Sequence, residues 1–186
     1  MTRRDIPNLI TLVRILLVAP ITYALLHEAY QLALLLFAVA AISDGLDGWL
    51  ARRNGWSSRL GAILDPMADK LLLVAAYLSL GWVGVLPAWL VAIVMGRDLL
   101  IVAGAGLYRW LVGPFVVRPS LVSKLNTFFQ ILLVVAVVLS LALYPLSDAM
   151  IELLIGLVAL TSLLSGGHYV WSWGRRAAVT LRSRQG

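Results

Sequence analysis

Long apolar segments alternate with short polar ones along most of the chain. The apolar segments cover residues 9–26, 30–50, 62–81, 85–108, 121–143 and 149–172. Each is close to the ~20 residues that an α-helix needs to cross a hydrocarbon core. The pattern therefore predicts an all-α integral membrane protein with six transmembrane helices. A short N-terminal segment, residues 1–8, is expected to lie at the membrane interface.

The first apolar segment could also be read as a signal peptide. Arg14 interrupts its apolar run, and no small-residue cleavage site follows it. A membrane helix therefore fits this segment better than a cleaved leader.

The basic residues are distributed unevenly between the two ends of the predicted helices. Three connections lack Lys and Arg: 27–29, 81–86 and 144–148. The other polar segments carry them: 1–8, 51–60, 109–120 and 173–186. The positive-inside rule then places both termini in the cytoplasm. We expect a bacterial inner or cell membrane, with the active site facing the cytoplasm.

Composition supports a membrane protein and limits its chemistry. Of the 186 residues, 61% are hydrophobic, which is more apolar surface than a soluble domain of this length needs. The net charge of +6 lies beside the apolar segments, so anionic lipid headgroups are its expected partners and nucleic acid is not. The lack of cysteine excludes disulfides and thiolate metal sites. A chain of this length predicts a single domain, residues 1–186.

Four of the nine acidic residues fall within residues 44–69. Asp44 and Asp47 are three apart and share a helix face, and Asp65 and Asp69 are four apart and do the same. Two helix ends joined by a polar turn near residues 54–58 would bring the pairs together, and the carboxylates would repel unless cations lay between them. With no cysteine and no histidine nearby, oxygen-ligated Mg²⁺ or Mn²⁺ fits best, so we predict two divalent cations.

A simpler interpretation of these aspartates is that they are helix caps or solvated charges. Asp65 followed by Pro66 resembles a helix start. Asp69 does not fit that interpretation, because placing a carboxylate one turn deeper in an apolar helix costs free energy. Asp69 is therefore a candidate for a functional role.

The residues around these aspartates match a known signature at every fixed position. The signature D-x2-D-G-x2-A-R-x8-G-x3-D-x3-D is met by Asp44, Asp47, Gly48, Ala51, Arg52, Gly61, Asp65 and Asp69. The chain thereby resembles the CDP-alcohol phosphotransferases, integral membrane enzymes of phospholipid synthesis. The resemblance implies transfer of a substituted phosphate from a CDP-linked lipid to an alcohol, with release of CMP. It also implies a homodimer, and a role for Asp69 as general base for the acceptor hydroxyl.

The same resemblance suggests a pocket for the CDP group. Small residues at Gly48, Ala51 and Gly61 would let the nucleotide approach the helix backbones, although close helix packing would also select them. Arg52 is the candidate clamp on the diphosphate.

Three polar residues share one face of the first helix. Asn8, Thr11 and Arg14 recur at three-residue spacing, and we interpret them as donors to the nucleotide or its phosphates. Helix capping by Asn8 is the alternative.

The second half of the chain is expected to select the acceptor. The candidate acceptor-binding residues are polar or basic positions in or beside the later helices: Lys70, Arg97, Arg109, Arg118, Ser123, Lys124 and Asn126. Arg97 lies in mid-helix beside Asp98, where an arginine normally faces a bundle interior or a wet cavity. Snorkelling or a private pair with Asp98 is the alternative.

The segment around Asn126 is the basis for a hypothesis about which alcohol accepts the phosphatidyl group. Residues 119–127 look most like the CMP-forming cardiolipin synthases, which transfer a phosphatidyl group from CDP-diacylglycerol to phosphatidylglycerol. The related phosphatidylglycerophosphate synthases, which use glycerol 3-phosphate, typically carry Gly-Lys-x-Lys-Thr here, whereas this chain has Ser123 and Asn126 in place of the Gly and the second Lys. Cardiolipin synthesis is the first hypothesis and phosphatidylglycerophosphate synthesis the second. A cation or proton transporter is the alternative from another functional class.

Overall fold

The computed structural model describes residues 6–54, 61–111 and 120–182, and within them the side chains of 11–45, 64–106, 109 and 120–172. In this part of the chain six α-helices follow one another: α1 (Ile6–Leu26), α2 (Tyr30–Asn54), α3 (Gly61–Trp82), α4 (Ala88–Leu111), α5 (Leu121–Ala142) and α6 (Asp148–Arg182). For the described residues, the predicted all-α architecture and the predicted number of helices are confirmed.

The helices follow the six apolar segments closely, with the largest difference at the last one. The apolar run ends near residue 172, but α6 continues to Arg182. The end of an apolar run marks where the sequence becomes polar, not where the helix ends. The backbone hydrogen bonds of a helix can continue into polar sequence when no residue breaks them. The apolar segment that predicted α4 begins at residue 85, three residues before the helix itself. Residues 85–86 belong to the preceding turn, and Pro87 immediately precedes the first helical residue, Ala88.

Three of the helices are long and apolar enough to cross a membrane, judged on the described side chains. Their apolar parts are Ala88–Gly106, Leu121–Ala142 and Asp148–Ser172. The apolar parts of α1 and α2 are shorter, Thr11–Leu26 and Tyr30–Gly45. These lengths favour a membrane protein, while six crossings with both termini in the cytoplasm stay a prediction.

The turns after α1 and α3 end their helices in the same way. Glu28 and Gly84 have positive φ angles of 57° and 79°. The amide of the next residue bonds back into the helix in each case, Ala29 N to Ala24 O at 2.8 Å and Val85 N to Leu80 O at 2.9 Å. This is the Schellman arrangement, in which glycine is favoured at the left-handed position. Gly84 suits that position, and Glu28 occupies it at a conformational cost.

The chain folds into two compact units. The first contains α1, α2, α3 and the second half of α5, and in it α1 packs against both α2 and α3. The buried residues of these three helices include five alanines: Ala24, Ala33, Ala40, Ala68 and Ala76. Small side chains let membrane helices approach closely. Polar side chains on α1 can therefore reach both neighbouring helices.

The second unit contains α4, the first half of α5 and α6, with α4 packed on α6. Its core combines apolar residues such as Leu90, Val94 and Val158 with a set of buried polar residues. Those polar residues are Arg97, Asp98, Asn126, Gln130, Ser162 and Ser165. Buried polar groups require hydrogen-bond partners, and here they link the three helices of the unit.

Candidate active site

Arg14 of α1 lies at the centre of the first polar cluster. Its side chain is 1% exposed. The Nη1 group donates to Asp65 Oδ1 and to Asp69 Oδ1, each at 2.8 Å. The Nη2 group lies 2.5 Å from Asp44 Oδ1. One guanidinium therefore gathers carboxylates from α2 and α3.

The two halves of the acidic signature lie on the two helices expected from the sequence. Asp44 belongs to α2, which ends at Asn54, and Asp65 and Asp69 belong to α3, which begins at Gly61. Their four-residue spacing puts Asp65 and Asp69 on one face of α3, and both contact the same arginine. The predicted convergence is thus confirmed for these three aspartates. The reading of Asp65-Pro66 as a helix start is wrong, since Pro66 lies inside α3.

The three carboxylates remain open on the side away from Arg14. The side chains of Asp44, Asp65 and Asp69 are 48%, 42% and 57% exposed, whereas the arginine beneath them is buried. Three carboxylates and one guanidinium carry a formal charge of −2 among these four side chains. The cluster therefore presents accessible negative charge that a cation could balance.

The donor set of this cluster fits a hard divalent cation. Carboxylate oxygens are the ligands that Mg²⁺ and Mn²⁺ favour, and the net negative charge has the right sign. Among the described side chains no three acidic or histidine groups are spaced to hold a metal ion, and the nearest aspartate oxygens surround Arg14 instead. A metal would therefore have to share these carboxylates with the arginine.

Several predicted residues of the metal and nucleotide sites lie outside the described side chains. These are Asn8, Asp47, Gly48, Ala51, Arg52 and Gly61. The described backbone places Asp47, Gly48, Ala51 and Arg52 on α2. Asn8 is the third residue of α1, so its backbone position is not that of an N-cap residue. Thr11 is 1% exposed and lies one turn before Arg14 on α1.

Arg97 of α4 organises the second polar cluster. Its Nη1 donates to Asp98 Oδ1 at 2.8 Å, and its Nε and Nη2 donate to Ser165 Oγ on α6 at 3.2 and 2.7 Å. The Nη2 group also donates to Ser123 Oγ on α5. Arg97 is only 8% exposed, so it does not snorkel to the membrane surface. The pair with Asp98 exists, but hydroxyls from two other helices share the guanidinium.

Asn126 of α5 joins the same unit through its amide. It is 0% exposed, and Thr161 Oγ1 and Ser162 Oγ on α6 lie 2.9 and 2.8 Å from its Oδ1. Thr161 Oγ1 is also 2.7 Å from Leu157 O and 3.3 Å from Val158 O, so its single proton has three acceptors in reach. The amide therefore links α5 to α6, and its predicted contact with the acceptor stays a prediction.

The remaining candidates for the acceptor site differ in exposure. Lys124 and Arg109 are exposed, and Lys70 is partly buried beside Asp69 on α3. Ser123 is partly buried, and its backbone amide donates to Ser120 Oγ at 3.2 Å, which caps the start of α5. Arg118 lies outside the described residues.

The sequence interpretation missed the hydroxyl groups of α6. Thr161, Ser162 and Ser165 contact Asn126 and Arg97 from this helix. The available signal was that Ser165 follows Thr161 by four residues and Ser162 by three in an otherwise apolar helix, which places Ser165 on the same side as both. It was not used because each hydroxyl alone is common in a membrane helix, where it can bond its own backbone.

Comparison with known proteins agrees with the family resemblance of the acidic signature. A family model described as CDP-alcohol phosphatidyltransferase matches residues 4–171. The chain belongs to the CDP-alcohol phosphatidyltransferase family. Members of this family generally depend on divalent cations, which agrees with the oxygen donors around Arg14.

The relatives of this phosphatidyltransferase-family chain carry two kinds of name. It is 31% identical over 198 residues to a cardiolipin synthase (CMP-forming) from Rattus norvegicus, covering 96% of this chain and 64% of the relative. It is 32% identical over 173 residues to a probable phosphatidylglycerophosphate synthase from Mycobacterium tuberculosis, covering 89% of this chain and 80% of the relative. A CDP-diacylglycerol–glycerol-3-phosphate 3-phosphatidyltransferase from Aquifex aeolicus is 36% identical over 128 residues, covering 67% of this chain and 70% of the relative. The chain spans 64% of the length of the rat and human cardiolipin synthases.

Proposed function

We propose that this protein transfers a phosphatidyl group from CDP-diacylglycerol to an alcohol and releases CMP. The observation that carries the proposal is the convergence of Asp44, Asp65 and Asp69 on Arg14, in a chain that belongs to the CDP-alcohol phosphatidyltransferase family. A diphosphate linkage is strongly anionic, and its cleavage requires charge stabilisation and a positioned base. Half-exposed carboxylates beside a buried cation supply suitable groups, and the 186 residues would act as a single catalytic domain.

In the proposed reaction the acceptor hydroxyl oxygen attacks the phosphorus of the phosphatidyl group. A new P–O bond forms to the acceptor, the P–O bond to CMP breaks, and CMP leaves with the bonding electrons. The hydroxyl proton passes to Asp69. Asp69 is the most exposed of the three described carboxylates, at 57%, so an acceptor has access to it. The contact between Asp69 and Arg14 fixes its orientation for this role.

Two divalent cations, Mg²⁺ or Mn²⁺, bound by Asp44, Asp47 and Asp65 with a further contribution from Asp69, would neutralise the diphosphate and make CMP a better leaving group. Arg52 would hold phosphate oxygens through its planar guanidinium. Asn8 and Thr11 on α1 would donate to the nucleotide or its phosphates, whereas Arg14 of the same face is already bound by the three aspartates. Gly48, Ala51 and Gly61 would leave space for the nucleotide beside the helix backbones.

For the acceptor we propose phosphatidylglycerol, which gives cardiolipin. The rat and human relatives at 31% identity are named cardiolipin synthases, which supports this choice. Asn126 supports it as well, because a phosphate diester with one negative charge needs fewer cations than the monoester of glycerol 3-phosphate. Glycerol 3-phosphate is the second candidate, favoured by the relatives named as phosphatidylglycerophosphate synthases. The acceptor headgroup would lie among Arg97, Ser123, Asn126 and the neighbouring basic side chains.

The setting of the reaction follows from the basic residues of the sequence. We propose six membrane crossings with both termini and the active site on the cytoplasmic side of a bacterial membrane, an orientation that rests on the positive-inside rule. We also propose a homodimer, which rests on the family resemblance alone. A cysteine introduced at Ser57, between the two halves of the signature, should react with a membrane-impermeant thiol reagent only in inside-out vesicles. Labelling from outside intact cells would contradict this orientation.

The deciding experiment incubates the purified protein with CDP-diacylglycerol and one acceptor at a time. Release of CMP with Mg²⁺ or Mn²⁺, and its loss with a chelator, would support the proposed reaction. Mass spectrometry of the lipid product separates cardiolipin from phosphatidylglycerophosphate. An absence of CMP release with every acceptor and either metal would refute the proposal.

A further inference from the structure

Arg14 contacts three carboxylates, which a role as hydrogen-bond donor to the nucleotide does not explain. Its Nη1 contacts both aspartates of α3, and its Nη2 contacts the aspartate of α2, while the arginine itself is anchored in α1. The residue is 1% exposed, so water does not compete for its charge. Arg14 therefore connects the three helices of the first unit through one buried charge.

The carboxylates that contact Arg14 would repel one another without it. Asp65 and Asp69 each direct one oxygen to the same Nη1, at 2.8 Å. Two carboxylates held this close are stable when a cation lies between them, and the buried guanidinium supplies that cation. The geometry of the acidic site can thus exist before any metal binds.

A divalent cation would interact with the same charges from the open side of the cluster. It would attract the aspartates away from the guanidinium, and it would repel the guanidinium directly, because like charges at close range inside a protein interact strongly. The two cations are therefore alternative partners of one carboxylate set. This relation has the thermodynamic form of negative coupling between two ligands.

We propose that Arg14 is an internal counter-ion that replaces the divalent cation in the metal-free protein and competes with it for Asp44, Asp65 and Asp69. The proposal rests on the proposed function, since it presumes a metal at these aspartates. Arg14 is a positioning residue in this proposal. It holds the three carboxylates together when metal is absent, and its attraction to them is weakened when metal binds.

The test measures Mn²⁺ binding by the purified protein without lipid substrates, following free Mn²⁺ by electron paramagnetic resonance. Arg14→Gln should bind Mn²⁺ about tenfold more tightly than wild type, which corresponds to ~1.4 kcal/mol of coupling. Thermal unfolding, followed by tryptophan fluorescence in detergent, gives a second measurement. The gain in melting temperature on adding Mn²⁺ should be larger in Arg14→Gln than in wild type, because the variant loses more stability in chelator than in metal.

Arg97→Gln is the matched control, because it also removes a buried arginine paired with an aspartate, in the other unit. It should change neither the Mn²⁺ affinity nor the size of the Mn²⁺-induced thermal shift. If Arg14→Gln does not fold without metal, Arg14→Lys keeps the charge but loses the fork that contacts three carboxylates. Its Mn²⁺ affinity should then also exceed that of wild type, by a smaller factor.

Equal or weaker Mn²⁺ binding by the Arg14 variants would overturn the competition while leaving the metal site intact. Equal binding would make Arg14 a structural ion pair, and weaker binding would make it a residue that assists the metal. If neither wild type nor variant binds Mn²⁺, the metal dependence of the proposed function fails together with this inference.

Discussion

Removing the Ser165 hydroxyl should disturb Arg97 without touching the acidic cluster. Ser165 on α6 is 0% exposed and accepts from both Nε and Nη2 of Arg97, at 3.2 and 2.7 Å. In Ser165→Ala these two donors lose their acceptor. The arginine keeps its contacts with Asp98 and Ser123, so it stays in place but is held less firmly.

The magnitude follows from the number and setting of the lost hydrogen bonds. Side-chain hydrogen bonds between membrane helices contribute about 0.6 kcal/mol on average and up to ~1.7 kcal/mol. Two bonds from a charged donor therefore predict a loss of about 1–3 kcal/mol in unfolding free energy. If Arg97 binds the acceptor, its looser position should raise the KM for the acceptor by about tenfold, equivalent to ~1.4 kcal/mol. The KM for CDP-diacylglycerol should change less.

The assay titrates phosphatidylglycerol and CDP-diacylglycerol separately and measures CMP release by Ser165→Ala and wild type in the same detergent and metal. Ser79→Ala controls for the loss of a buried serine, since Ser79 is 3% exposed and donates to Ala75 O within its own helix. Gly166→Ala controls for a change beside Arg97, because the added Cβ would lie 3.8 Å from Arg97 Cγ, an ordinary contact. An unchanged acceptor KM in Ser165→Ala, or an equal rise in Ser79→Ala, would refute the role of Arg97 in acceptor binding.

Two further predictions concern the acidic cluster and the helix ends. Asp44→Asn or Asp65→Asn should abolish CMP release, because a neutral amide is a poorer ligand for Mg²⁺ than a carboxylate; near-normal turnover at saturating Mg²⁺ would contradict the assignment of these residues as metal ligands. Gly84→Ala should destabilise the protein by about 1 kcal/mol, because its φ of 79° disfavours any side chain although no atom lies within 4 Å of the added Cβ. Glu28→Gly should stabilise it by up to ~1 kcal/mol for the same backbone reason. Thermal unfolding in detergent measures both, and shifts of the same sign would contradict the Schellman interpretation.

The sequence alone was sufficient for the helices and for the position of the signature on them. Alternation of apolar and polar segments located all six helices, because a long apolar segment has few ways other than a helix to satisfy its backbone inside a membrane. The two halves of the signature lie on two successive helices, as expected, since α2 ends at Asn54 and α3 begins at Gly61. The local spacing of Asp65 and Asp69 likewise fixed their common face, since a helix repeats every 3.6 residues.

Only the tertiary structure decided which polar residues contact one another. Arg14 lies 51 and 55 positions from Asp65 and Asp69 in sequence, and its spacing with Thr11 suggested a nucleotide donor instead of an ion-pair partner. The hydrogen bond of Ser162 to Asn126 and those of Arg97 to Ser165 join positions 36 and 68 apart. Periodicity specifies the face of a helix on which a residue lies. Which face of a neighbouring helix packs against it, and at what position along the axis, depends on how small and large side chains pack between the helices. In this protein α1 packs against both α2 and α3, all three helices contain buried alanines, and this packing places Arg14 beside the aspartates.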